Sequence, residues 1–305
     1  MNEPLPTYLL TGAQGFLGSY IQHYLQHENY QLTTLGKNQQ NDIVCDLAVN
    51  IPDFTTDFDV IVHAAAKAHS VPKGKDEEQI FFGVNLQGTQ NLCAGLEKNN
   101  RLPKAFVFIS TVAVYGVDNG EAINELHPLN GSTAYAKSKI EAEYFLQEWC
   151  KTNNIKLCIL RLPLIAGKNP PANLGAMIKG IASNRYFNIA GGKAKKSVVL
   201  ASDVARYIPV ISHTEGVFNL TDGYHPSFKE LGNLIAQQLN KNAPKNIPLW
   251  LAKVIAFGGN LLGEKAPLNT ENLKKIISTL TFDDTKARSS FGWNPEKVLD
   301  GFTIK

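Results

Sequence analysis

Tyr135 and Lys139 stand four residues apart in "STAYAKSK", a spacing that puts a phenol and an ammonium on one face of a helix. That helix would open after a loop trailing the strand-like run "AFVFIS", which places the pair at the end of a strand and not in the middle of a surface. A free tyrosine titrates near 10, and bringing it to neutrality takes about 4 kcal/mol of preferential stabilisation of the phenolate. A nearby cation can supply it. A phenol tuned in this way can take or give a proton on a substrate oxygen. Among ten tyrosines and many lysines the spacing arises by chance, so the position of the pair is what carries meaning.

A second cluster lies near the N-terminus, where "TGAQGFLG" sets Gly12, Gly15 and Gly18 between the apolar run "TYLLT" and a segment with helical periodicity. In that segment Phe16, Leu17, Tyr20, Ile21, Tyr24 and Leu25 recur on one side. Glycines permit a tight turn, a close approach by a pyrophosphate and close packing of helix on strand. The helix N-terminus then faces the negative charge with unpaired N–H groups. Strand, glycine turn and helix together predict a dinucleotide site built on Gly12, Gly15, Phe16, Leu17 and Gly18. The acid that would hold a ribose 2′-hydroxyl is due about twenty residues on. That count lands in "QLTTLGKN", on Gly36. Glycine leaves room for a 2′-phosphate and Lys37 adds a positive charge, so NADP is expected ahead of NAD; an ordinary turn is the alternative. Asp46 and Leu47, following "DIVC", are candidates for the adenine edge.

The elements that must position these residues alternate through the first half of the chain. Strands are expected at 7–11, 31–35, 59–66, 105–110 and 157–162, with helices from Phe16, over about 77–97, and from near Ala134. This order predicts an α/β fold, a doubly wound parallel sheet of the Rossmann type. Residues 1–166 are expected to form the dinucleotide-binding domain. Segment 196–223, with the apolar run "GVFNLTD", is expected to return to it, and 167–305 to be mostly a smaller, mainly helical substrate domain.

The composition is that of an ordinary globular protein, with 44% apolar and 19% charged residues in a chain of 305. A net charge of +3 gives no concentrated basic stripe, and nucleic-acid binding is not expected. Four cysteines with no CxxC pair predict free thiols in a reducing cytoplasm, and the histidines have no metal-ligand spacing. The apolar stretch "IPLWLAKVIAFGGNLLG" (247–263) is too short and broken for a membrane span and is read as a helix packed within the protein.

Taken jointly, these motifs resemble the extended short-chain dehydrogenase/reductase family of nucleotide-sugar epimerases, dehydratases and reductases. The similarity runs through "TGAQGFLG", "VIVHAAA", "VNLQGTQNL", "FISTVAVYG" and the Tyr135–Lys139 pair, then "LRLPLIAG", "KSVVLASDVAR" and "FDDTKARSSFGW". It implies Thr111, Tyr135 and Lys139 as the catalytic set, with Thr111 holding the sugar oxygen and Lys139 also holding the cofactor ribose. It implies Ala64, Ala65, Ala66, Asn85, Ser110 and Pro163 as further cofactor contacts. Asn173 and Lys196 match positions that touch the nucleotide in relatives, with Lys196 where an arginine is frequent; a lysine cannot make the bidentate phosphate contact. No metal is implied. The partners implied are a nucleotide-diphosphate sugar and a second copy, paired through the helices near 77–97 and from Ala134.

The family's 4,6-dehydratases follow the threonine with an Asp-Glu pair, whereas Val112 and Ala113 stand here and cannot move protons. Leu164, where epimerases of the UDP-galactose type have Asn, together with "HAAAKAHS" and "STLTFDDTKAR", is similar to the branch that reduces or epimerises UDP-N-acetyl-deoxyhexoses for surface polysaccharide. Two activities remain. One is NADPH-dependent reduction of a UDP-4-keto-6-deoxy-N-acetylhexosamine, toward which Gly36–Lys37 tilts. The other is 4-epimerisation of a UDP-hexose or UDP-N-acetylhexosamine with retained NAD. A non-catalytic NAD(P)-binding module is a third possibility, but such relatives lose the tyrosine or the lysine, and both are present here.

Overall fold

The structure, a computed structural model, describes residues 5–68, 72, 74–99, 101–261 and 268–304. His69 and Ser70 of "HAAAKAHS" and Leu262 and Gly263 of the apolar stretch lie outside the described residues. In chain order the strands are β1 (Thr7–Thr11), β2 (Gln31–Gly36), β3 (Ile43–Val44), β4 (Val60–His63), β5 (Ala105–Thr111), β6 (Gly120–Ile123) and β7 (Lys156–Leu162). They continue as β8 (Leu164–Ala166), β9 (Asn188–Ile189), β10 (Val198–Leu200), β11 (Gly216–Asn219), β12 (Asn246–Ile247) and β13 (Leu280–Phe282). The α-helices are α1 (Phe16–His27), α2 (Lys75–Phe82), α3 (Gly88–Glu97), α4 (Ala134–Thr152), α5 (Ala172–Ala182) and α6 (Ala201–Ile211). After them come α7 (Phe228–Gln238), α8 (Leu249–Leu261), α9 (Thr270–Ile277), α10 (Thr285–Phe291) and α11 (Val298–Gly301).

Seven strands form one parallel sheet in the order β11-β7-β5-β4-β1-β2-β3. The predicted doubly wound sheet is therefore present. Each inner strand is apolar on both faces because each face is covered. Tyr8, Leu10, Val60, Val62, Val107 and Leu160 pack beneath α1 and α6, while Leu9, Ile61, Phe106, Phe108 and Ile159 pack beneath α3 and α4. The strand order reverses between β1 and β4, and ligands of open α/β sheets bind at such a switch point, beyond the C-terminal ends of the strands.

Three elements differ from expectation. Strand β4 stops at His63 instead of Ala66, because the chain leaves the sheet there to lie against the glycine turn: the Ala64 amide donates to the Thr11 carbonyl at 3.2 Å and the Ala65 amide to Thr11 Oγ1 at 3.2 Å. The single helix expected over 77–97 is split by a π-helical turn, Gly83–Gln87, which carries Asn85. Such turns mark places where a side chain has been re-aimed. Helix α8 buries only its small side. Ala252 and Ala256 are inside, whereas Trp250, Val254 and Phe257 lie outside, so the reading of this segment as packed within the protein holds for one face alone. None of the described helices is long and apolar enough to cross a membrane. All four cysteines are free.

Candidate active site

The glycine turn closes against the end of β4. Gly12 has φ +75°, and a Cβ there would lie 2.6 Å from the Ala65 nitrogen, while a Cβ on Gly18 would collide with the Gly12 carbonyl. Either change forces the loop open. Gly15 caps α1 without a side-chain hydrogen bond, and no acid occupies the first turn of that helix. Its free N–H groups and dipole therefore favour an anion. Phe16 is half-buried against Tyr20, and Leu17 is part of the core. Beneath the turn, His63 ties the two strands of the switch point together: its Nδ1 lies 2.6 Å from Thr11 Oγ1 and its Nε2 2.9 Å from Thr89 Oγ1. Thr89 donates its hydroxyl to the Asn85 carbonyl, so it must accept from Nε2–H, and Thr11 donates to Nδ1. The imidazole is thus neutral with one defined tautomer. Burial, then the charge of Lys139, pull its pKa down to about 3.

The end of β5 and the start of α4 bring the predicted catalytic residues together. Thr133 caps α4, its Oγ1 accepting from the Ala136 amide at 3.1 Å, and this fixes Tyr135 in the first turn. Thr111 ends β5, and its hydroxyl faces the Tyr135 phenol closely enough to favour the phenolate. Burial outweighs that effect and leaves the Tyr135 pKa raised. Lys139 is buried, donates to the Ile109 carbonyl at 2.7 Å and lies 4.2 Å from the centroid of the Phe108 ring, whose other neighbour is the stacked His63 imidazole. Burial lowers the Lys139 pKa to about 7, against an upward pull from Glu143. The downward shift of Tyr135 expected from Lys139 is not seen: burial raises the phenol and the Thr111 hydroxyl opposes it only in part.

Glu143, which the sequence reading passed over, is fully buried one turn beyond Lys139. It receives Ser110 Oγ and both Nε and Nη2 of Arg161, the latter at 2.7 Å. Arg161 Nη1 also donates to the Tyr115 hydroxyl, which donates to Asn219 Oδ1 at 2.7 Å. One polar network therefore joins α4, β5, β7 and β11 under the site. The signal for Glu143 was present as a third member of a four-residue repeat, Tyr135, Lys139, Glu143, and a carboxylate on the inward face of a helix demands a buried cation.

A family model described as the NAD dependent epimerase/dehydratase family matches residues 8–220, from β1 to just past β11. The chain belongs to this family. Among curated proteins it is 28% identical over 302 residues to N-acetyl-alpha-D-glucosaminyl-diphospho-ditrans,octacis-undecaprenol 4-epimerase of Escherichia coli O157:H7, covering 92% of this chain and 88% of the relative. It is 24% identical to UDP-glucose 4-epimerase of Bacillus subtilis, covering 96% and 93%. Among solved structures, the UDP-glucose 4-epimerase of Thermus thermophilus in complex with NAD superposes with a TM-score of 0.70 at 20% identity, over 95% of this chain and 94% of that one, which shows a shared fold.

Other residues singled out in this epimerase/dehydratase chain occupy varied positions. Asn85 in the π turn is buried, and its carboxamide is engaged by Lys67 N, Lys67 O and Ser138 Oγ at 2.8 to 3.1 Å, clamping the loop after β4 to α4. Ser110 gives its hydroxyl to Glu143, and Pro163 sits between β7 and β8 at the C-terminal edge of the sheet. Ala64 and Ala65 are half-buried against the glycine turn and Ala66 is exposed. Asp46 Oδ1 accepts from the Ala48 amide and shapes a turn, while Leu47 is a core residue beside Gly88. Asn173 is exposed in the first turn of α5. Lys196 is half-buried, with its pKa lowered by burial against the pull of Asp118. At the end of β2, Lys37 is exposed, but the room expected beside Gly36 is filled: a Cβ there would lie 2.8 Å from Asn41 Nδ2 and 3.0 Å from Asn41 Oδ1. Nδ2 donates to the Asn38 carbonyl at 2.8 Å, and Oδ1 is buried without a partner among the described residues.

Proposed function

We propose that this protein epimerises C4 of a hexose carried on a nucleoside diphosphate, with NAD as its cofactor and the cytoplasm as its place of work. The observation that carries this is the convergence of Thr111, Tyr135 and Lys139 beside the glycine turn, with Val112 and Ala113 behind Thr111 in place of proton-moving acids. The residues suit a dinucleotide: the cradle at Gly12 and Gly18 that a Cβ would fill, the uncapped start of α1, and the unpartnered acceptor Asn41 Oδ1 at the end of β2. An amide oxygen there suits a ribose hydroxyl donor. Gly12, Gly15, Phe16, Leu17 and Gly18 would hold the pyrophosphate, and Ala64 to Ala66, Ser110, Pro163 and Lys139 would line the rest.

When bound, NAD supplies acceptance of the C4 hydrogen as hydride and its return to the opposite face of the sugar. Tyr135 takes the proton from the C4 hydroxyl as that carbon is oxidised and gives it back on reduction. Thr111 holds the same oxygen. Lys139 stabilises the phenolate in proportion to its own charge, which is why a pKa near neutrality at that position matters. Asn173 and Lys196 are assigned to the nucleotide diphosphate. The presence of 4-epimerases among the similar proteins supports the direction, since epimerisation returns the cofactor to its starting state.

The second reading, NADPH-dependent reduction of a UDP-4-keto sugar, rests on Lys37 and the absent acid. Asn41 beside Gly36 argues against it. One preparation separates the two: the purified protein is denatured and any released dinucleotide is identified, then turnover of UDP-hexoses and UDP-N-acetylhexosamines is assayed. Retained NAD and interconversion of 4-epimers are expected, with Tyr135→Phe slower by about 10²- to 10⁴-fold. An empty site that consumes only 4-keto sugars with NADPH would replace this reading by the reductase. A wild type inert on a broad panel would remove catalysis altogether.

A further inference from the structure

Helix α8 turns its large apolar residues away from the protein. Its inner side is Ala252 and Ala256, packed with Leu273 and Ile277 of α9. Its outer side exposes Trp250 at 67%, Val254 at 62% and Phe257 at 74% of their surfaces, with Ile255 beside them. Positions 250, 253, 254 and 257 share one helical stripe, so exposed Lys253 lies among the apolar residues. Charge is gathered in the same stretch of sequence. Residues 241–279 hold six lysines and two glutamates, a net +4 within a chain whose total is +3, so the remainder of the molecule is slightly acidic. Lys241, Lys245, Lys253 and Lys274 are exposed, and one of the glutamates, Glu271, is paired with Lys275 at 2.8 Å.

This region is continuous with the site. Helix α9 runs into β13, whose Leu280 amide donates to the Lys195 carbonyl at 2.9 Å and bridges Lys196, the residue assigned above to the diphosphate. We propose that the outer face of α8 docks on an anionic lipid bilayer, with Trp250, Val254 and Phe257 entering the headgroup–acyl boundary and Lys253 and its neighbours meeting lipid phosphates. A helix of 13 residues is too short to span a bilayer but suits a position in the plane of the interface. Each lysine near such a surface adds to the attraction, which salt screens. A second copy is the poorer occupant, because a two-fold contact would set Lys253 and the surrounding lysines against their own duplicates. Resting on the C4 reading, docking would hold the nucleotide-sugar epimerase at the bilayer surface, with the site joined to the docking face through β13 and Lys196.

The test uses the full chain with vesicles of phosphatidylcholine alone, and of equal parts phosphatidylcholine and phosphatidylglycerol. Co-sedimentation with the second kind is expected, falling with salt, together with a blue shift of tryptophan emission. Trp250 must be its source, since Trp149 and Trp293 are already buried. The variant Val254→Ser/Phe257→Ser should bind vesicles at least about tenfold more weakly, because two large apolar side chains no longer leave water. Its turnover of a free UDP-sugar should be unchanged, and circular dichroism checks its fold. Binding that is absent, or equal in the variant, would overturn docking while leaving the C4 reading intact; a variant that changes the oligomeric mass would reassign the face to self-contact. Intact docking in a protein without turnover would remove the C4 reading alone.

Discussion

Lys139 is hydrogen-bonded to a carbonyl and not to a carboxylate; its charge depends on Glu143 one turn away, which opposes the downward pull of burial. Glu143 is in turn the only acid bonded to buried Arg161 among the described residues, with Ser110 completing its shell. Replacing Glu143 by Gln keeps the shape and removes the charge. Arg161 is then left buried without a counter-ion, a change that costs about 3–5 kcal/mol. Urea unfolding of Glu143→Gln should show that loss, and the alkaline limb of its pH–rate profile should move to lower pH, because Lys139 loses the group that raises its pKa and sheds its charge earlier as pH rises. A stability change below about 1 kcal/mol would mean that the pair is not holding α4 to β7. Asn41 belongs at the same scale. The sequence offered Gly36 and Lys37 for the ribose end, and the residue that fills the place lies further along the chain, returned there by the β2–β3 turn.

At the scale of elements, β1, β4 and α3 are held in register by His63, whose imidazole bonds Thr11 on one side and Thr89 on the other. Its folded pKa is about 3, below the unfolded value near 6.5, so the unfolded chain binds the extra proton first. The stability linked to His63 is therefore full above pH 6.5 and is lost as pH falls toward 3, by up to about 5 kcal/mol. Urea midpoints measured across that range should fall in the wild type and fall less steeply in His63→Gln. Parallel slopes would show that the imidazole is not the group responsible. The split of the 77–97 helix belongs here too. A continuous apolar period predicted one helix, and the π turn arises because Asn85 must reach both Lys67 and Ser138, partners 18 and 53 residues away.

For the whole molecule, we propose a two-fold dimer through α2, α3 and α4. Tyr144 on α4 is 54% exposed and Ile80 on α2 is 48% exposed, and α2 and α4 pack on each other. Light scattering should give twice the chain mass, and Tyr144→Glu should lower it to that of a single chain. A wild-type monomer would leave those helices without this role. Much of the molecule could be read before its structure. The parallel sheet, the glycine turn and the Tyr135–Lys139 face were legible in the residues, because each depends on local periodicity or on spacing within one helix or turn. The tertiary structure set the protonation and pairing of the site: the neutral His63, the lowered pKa of Lys139, the Glu143–Arg161 pair and Asn41 beside Gly36. Those properties arise from burial and from partners far along the chain, and desolvation has no signature in a string of residues until folding has fixed which groups lose their water.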